Sequence, residues 1–101
     1  MAHIPDELPA GLEAYGRSPD FTPDTMPPQL RSAHSTKAGT WGLLHVLEGA
    51  VDYQLEAPNE GERSVAAGGT VVIEPEIRHH VAFREPGRFF VEFYRAKAPA
   101  G

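Results

Sequence analysis

Whatever chemistry this 101-residue chain performs falls to histidine, acidic and hydroxyl side chains, because it has no cysteine. Thiolate nucleophiles, disulfides and cysteine-based zinc sites are excluded, so a metal would need imidazole, carboxylate or water ligands. The densest group of such residues lies in Gly68-Gly69-Thr70-Val71-Val72-Ile73-Glu74-Pro75-Glu76-Ile77-Arg78-His79-His80-Val81. A glycine pair makes a tight turn, Thr70 to Ile73 form a β-branched strand, Pro75 stops it, and the histidines open the next apolar run. That places imidazoles where two strands meet. Successive strand residues point to opposite faces, so His79 and His80 do not both enter one interior. Val81 and Phe83 lie on the side of His79, which favours His79 as the inward ring and leaves His80 as the alternative. Glu74, immediately before the turn that delivers His79, is the natural carboxylate partner. No arrangement of nucleophile and base is evident.

The elements that must hold these residues are short and strand-like. Trp41 to Leu47 is a nearly all-apolar run, Glu48-Gly49-Ala50 reads as a hairpin turn, and Val51 to Leu55 alternates apolar and polar. Pro58 to Glu62 is a turn, Arg63 to Ala66 a return strand, and Ala67-Gly68-Gly69 another turn. Val81 to Phe83, a turn at Glu85-Pro86-Gly87, and Phe89 to Tyr94 complete about six or seven short strands with no convincing helix. A chain of this size satisfies its sheet edges most simply as a sandwich or closed barrel. The expected organisation is one domain. Residues 1–30 form an arm, residues 31–95 a β-barrel and residues 96–101 a frayed tail. The arm holds most of the ten prolines, yet Ile4, Leu12, Phe21, Met26 and Leu30 give it apolar area to lie against the barrel or a partner subunit.

A second block, His34-x-Thr36-Lys37-x-Gly39-x-Trp41-Gly42, precedes Val46-Leu47-x-Gly49. Together with Glu74-Pro75-x-x-x-His79 and Phe93-Tyr94, it resembles the small cupin domain fused at the N-terminus of some tellurite-resistance methyltransferases. The same domain also occurs free-standing. The resemblance runs from about Leu12 to Tyr94 and implies an all-β cupin fold, a double-stranded β-helix or jelly-roll barrel, with the proline-rich arm at its N-terminus. It departs from the general cupin motif in two places. His34-Ser35-Thr36 stands where that motif has His-x-His, and Gly42 stands where it has a glutamate. The family's histidine corresponds to His79, whereas generic cupin spacing favours His80. Methyl transfer is not implied, because no glycine-rich nucleotide-binding segment is present.

Within that frame, His34, Glu74 and His79 would make a two-histidine, one-carboxylate site for one divalent metal, Zn, Fe, Ni or Mn. Glu92 is a reserve ligand or an acceptor that fixes a ring, and Lys37 is a candidate contact for an anion or substrate carboxylate. His45 is read as a packing or interface residue. The expected function is a divalent-metal-binding cupin that binds or processes a small polar or anionic molecule in the barrel, linked to tellurite or oxyanion stress only by analogy. The alternative is a non-catalytic ligand-sensing or protein-interaction module without a required metal. The sequence does not decide whether it is an enzyme.

Bulk properties narrow the partners. Nine Lys and Arg against fourteen Asp and Glu give a formal charge of −5, and the basic residues are scattered, so no nucleic acid is expected. No apolar run approaches the ~18 residues of a membrane span, and the start lacks the pattern of a secretory signal. A cytoplasmic protein is the expectation, with a homodimer formed through an edge strand or an exchanged arm.

Overall fold

The computed structural model describes residues 4–32, 34–57 and 59–97. The first three residues of the arm, Pro58 of the expected turn and residues 98–101 of the expected tail lie outside the described residues. The fold is all-β with almost no helix: β1 (Leu12–Arg17), α1 (Pro28–Arg31), β2 (Trp41–Leu55), β3 (Glu62–Ala66), β4 (Thr70–Ile73) and β5 (His79–Ala96). All strand pairs are antiparallel and belong to one sheet, ordered β1-β5-β2-β3, with β4 pairing to β2. The sheet is not closed, because β1 and β3 stand at its two edges.

Two of the expected turns are corrected. Glu48-Gly49-Ala50 lies inside the 15-residue β2, and Glu85-Pro86-Gly87 lies inside the 18-residue β5. The two strands pair along nearly their whole length, with register shifts between Val46 and Val51. Glycine and proline therefore serve a bulged bend here rather than a chain reversal. The bend also explains the side-chain pattern: Gly42, Leu44 and Val46 are buried before it, and Val51, Tyr53 and Leu55 after it. The extra residues shift the alternation from even to odd positions, so one face of β2 stays inward throughout.

That face carries the core. Leu44, Val51, Val71 and Phe89 are fully buried, and Val46, Tyr53 and Val81 nearly so. Each large apolar side chain removed from water contributes roughly 1.5–3 kcal/mol before the entropy of ordering it is subtracted. The arm joins this core. Ile4 and Met26 are buried, Phe21 exchanges two backbone hydrogen bonds with Phe89 (2.7 and 3.0 Å), and β1 extends the sheet beside β5. Pro28, whose missing N–H costs nothing at a helix start, opens the four-residue α1, and Leu30 packs from it against the core. Among the described residues, no helix is long and apolar enough to cross a membrane.

Candidate functional site

Two imidazoles are brought together by the backbone. His34, on the segment after α1, and His79, the first residue of β5, form an antiparallel bridge in which each N–H donates to the other's carbonyl (2.9 and 2.8 Å). Directly opposed residues in such a pair carry their side chains on the same side. The ring centroids are accordingly 4.3 Å apart, with their planes at 63°.

Both rings are held in the same way. Nδ1 of His34 lies 3.1 Å from the Ser32 carbonyl, and Nδ1 of His79 lies 2.9 Å from the Ile77 carbonyl. A carbonyl oxygen only accepts, so each Nδ1 carries the proton and donates it. In the neutral form of each ring Nε2 is then a lone pair, and neither Nε2 hydrogen-bonds to another described residue. His79 is 1% exposed, and burial pushes its pKa down to about 4; the repulsion of His34 and His80 adds to this, while its bond to the Ile77 carbonyl and the charge of Glu56 oppose it. The ring is neutral at pH 7.

The rings border a cavity of about 180 Å³ between the inner sheet face and the arm, walled by Phe21, Phe89, Phe93, Leu44, Val81 and Val91. Its other polar groups are few. Ser18 Oγ donates to the Pro19 carbonyl and accepts from the Val91 N–H, and Thr36 Oγ1 donates to the Thr40 carbonyl, which leaves the Gln29 amide and the two Nε2 atoms. No acidic, lysine or arginine side chain is among the described residues lining it. Tyr53, which sequence reasoning did not single out, is 1% exposed and packs its ring 4.9 Å from that of His79. Burial, aided by the charge of Glu74, raises its hydroxyl pKa strongly. Tyr53 shares the inward alternation of Val51 and Leu55, but nothing local marks it as a neighbour of a histidine contributed by β5.

The other sequence-nominated residues are placed elsewhere. Glu74 does not line the cavity, and among the described residues no three of His, Asp or Glu converge as a metal-ligand group. Gly42 shows why a carboxylate is lacking on β2: a Cβ there would lie 3.2 Å from Ile73 and Val91 atoms, in space those side chains already occupy. His80 points to the other side of β5 and hydrogen-bonds Glu56 through Nδ1. Lys37 is exposed beside a separate shallow hollow with Tyr15 and Arg95.

Glu92 also faces away from the cavity. It receives the Tyr94 hydroxyl at 2.7 Å and lies 3.3 Å from Nε2 of His45, whose ring stacks on Phe90 at 4.6 Å. These bonds, the Tyr94 one first, hold the Glu92 carboxyl below the usual range. Glu92→Gln is expected to leave ligand binding in the cavity unchanged and to cost less than about 1 kcal/mol in a urea titration. A loss of cavity binding in this variant would place the two faces in one site.

Comparison with known proteins gives one consistent answer. The family model described as the TehB-like domain matches residues 16–91. Two curated proteins of Haemophilus influenzae strains, each described as a probable S-adenosyl-L-methionine-dependent methyltransferase TehB, are 34% and 33% identical over 79 residues. Those alignments cover 74% of this chain and 24% of each relative, so the chain spans about a quarter of their length. The crystal structure of TehB from Haemophilus influenzae matches with a TM-score of 0.77 at 27% identity, covering 86% of this chain and 32% of that one. A structure of an Escherichia coli K12 protein matches with a TM-score of 0.83 at 23% identity, covering 91% of this chain and 98% of that one, a likeness of fold alone.

Proposed function

The chain belongs to the TehB-like domain family, and from that premise we propose that it is a non-catalytic ligand-binding domain whose apolar cavity takes a small molecule at the paired imidazoles, with no required metal. The observation that carries this is the pair itself: two imidazoles, each with an Nε2 that bonds no described residue, at the edge of a largely apolar space. A ligand that brings its own donor to these acceptors and buries its apolar surface against the walls gains from both on binding. The volume of about 180 Å³ is below the roughly 300–1,000 Å³ of pockets that hold drug-sized ligands, so the ligand is compact. The relatives' methyltransferase name belongs to proteins of which this chain matches a quarter, and it supplies no activity here. A link to tellurite is kept as analogy, and the absence of a cationic group among the described lining residues argues against an oxyanion inside the cavity.

The sheet is read as an open relative of the cupin barrel, supported by the pairing of β2 with β3, β4 and β5. One divalent metal on His34 and His79 is the second reading. Ligating histidines commonly donate their other ring N–H to a carbonyl, as both do here. Two imidazoles nevertheless fall short of the three protein ligands usual in a catalytic zinc site, so no metal chemistry is assigned. We also propose a homodimer, supported by β1, an edge strand in which every residue but Leu12 is exposed. A monomer by light scattering would remove that part.

The test is a small-molecule screen by NMR on chelator-treated protein. The expected result is binders that shift signals of Val81, Phe89 and Val91 without added metal. Stoichiometric Zn, Ni, Mn or Fe(II) binding that requires both His34 and His79, with no small molecule bound until the metal is restored, would replace this reading with the second.

A further inference from the structure

The cavity also restricts what kind of molecule fits it. A cation entering it would lose its hydration and find no carboxylate among the described lining residues; an anion would find no Lys or Arg, and would face two lone pairs instead. A purely apolar molecule would fill the space but leave both Nε2 atoms unpaired. An uncharged molecule that brings a hydrogen-bond donor suits this lining best. Three phenylalanines, Phe21, Phe89 and Phe93, form part of the wall, and Phe21 meets Phe89 edge-on with centroids 5.6 Å apart. Such rings pack well against another aromatic ring.

We propose that His34 and His79 form a double hydrogen-bond acceptor that selects a compact, uncharged molecule, best an aromatic one, carrying an O–H or N–H donor. The selectivity is built in before binding, because the Ser32 and Ile77 carbonyls fix which nitrogen of each ring is bare. This rests on reading the cavity as a ligand site. It is the opposite of the anionic preference expected from Lys37, which lies outside the cavity lining.

Phenol, toluene and benzoate separate the classes, since they share a ring and differ in donor and charge. NMR titrations of the intact chain near neutral pH are expected to show phenol binding at least about tenfold more tightly than either of the others, the worth of one buried hydrogen bond. His34→Phe, at the less buried ring, is expected to reduce phenol's advantage over toluene, since it removes one of the two acceptors. Gln29→Leu, on an exposed residue, is expected to preserve it, and each variant's fold is checked by its own spectrum. Toluene binding as well as phenol would overturn the donor requirement while leaving the cavity a binding site. Benzoate binding best would overturn the neutral preference, and loss of phenol's advantage in Gln29→Leu but not His34→Phe would overturn the assignment to the imidazoles. If none of the three shifts a cavity signal and the wider screen is blank as well, the cavity reading fails and this inference with it.

Discussion

Gly87→Ala is expected to leave the chain unfolded, or to lower its stability in a urea titration by about 4 kcal/mol or more. A Cβ at Gly87 would lie 1.9 Å from the Glu48 carbonyl oxygen, 2.3 Å from its carbonyl carbon and 2.7 Å from the Gly49 nitrogen. These are backbone atoms, so no side-chain rotation relieves the overlap. Gly49 is the other half of the same crossing: its φ is +72°, and a Cβ there would come within 2.3 Å of the Pro86 carbonyl oxygen. The bulged bend that lets β2 and β5 run together past it depends on both positions. Gly16→Ala is the control. A Cβ there meets nothing within 4 Å and Gly16 has no positive φ, so a change within about 0.5 kcal/mol is expected. A Gly87→Ala variant as stable as the parent would mean that the two backbones do not approach in this way.

The second large effect is on stability as a function of pH. Burial lowers the folded-state pKa of His79 to about 4, whereas in the unfolded chain it titrates near the ordinary 6.5. Between those values the unfolded state binds more protons, so stability rises with pH across the window. The contribution is complete above about pH 6.5, falls as the pH drops towards 4, and changes no further below that. Urea titrations at about pH 7.5 and pH 4.5 are expected to differ by about 2.5 kcal/mol from this group. The charged and titratable groups around the ring are His34, His80, Glu56 and Tyr53, whose raised pKa keeps it neutral across this window. Asp52 and Glu92, whose pKa values are lowered, add their own loss only at the acid end, as the pH falls through the carboxylate range. His79→Phe, where it folds, is expected to flatten the slope between about pH 6.5 and 4.5. A flat profile in the parent would contradict the burial of a neutral imidazole.

The strands were legible because alternation and β-branched runs are local properties. Thr70 to Ile73 and Val51 to Leu55 could be read from their own residues, as could the step from Pro75 to the histidines. The continuity of β2 and β5 was not legible. Glycine and proline at Glu48-Gly49-Ala50 and Glu85-Pro86-Gly87 suit a hairpin turn and a bulge equally well, and only pairing between distant segments decides between them. The same limit applies to the site. The inward side of His79 follows from the apolar face of Val81, which is local. Its meeting with His34 depends on a bridge between segments 45 residues apart in sequence, and the placement of Glu92 with His45 depends on the cross-strand register. Gly42 carried a readable signal: a glycine where a glutamate ligand was expected removes a donor, and Ile73 and Val91 occupy the space.

Nδ1 of His34 and Nδ1 of His79 each donate to a backbone carbonyl, and the buried His79 ring is neutral with its lone pair on Nε2. Long-range proton–nitrogen NMR correlation of the imidazoles near neutral pH reads this directly. A protonated Nδ1 is expected on both rings and an unprotonated Nε2 on His79, with the Nε2 resonances moving when phenol is added. A protonated Nε2 on His79, or an Nδ1 without its proton on either ring, would contradict this arrangement.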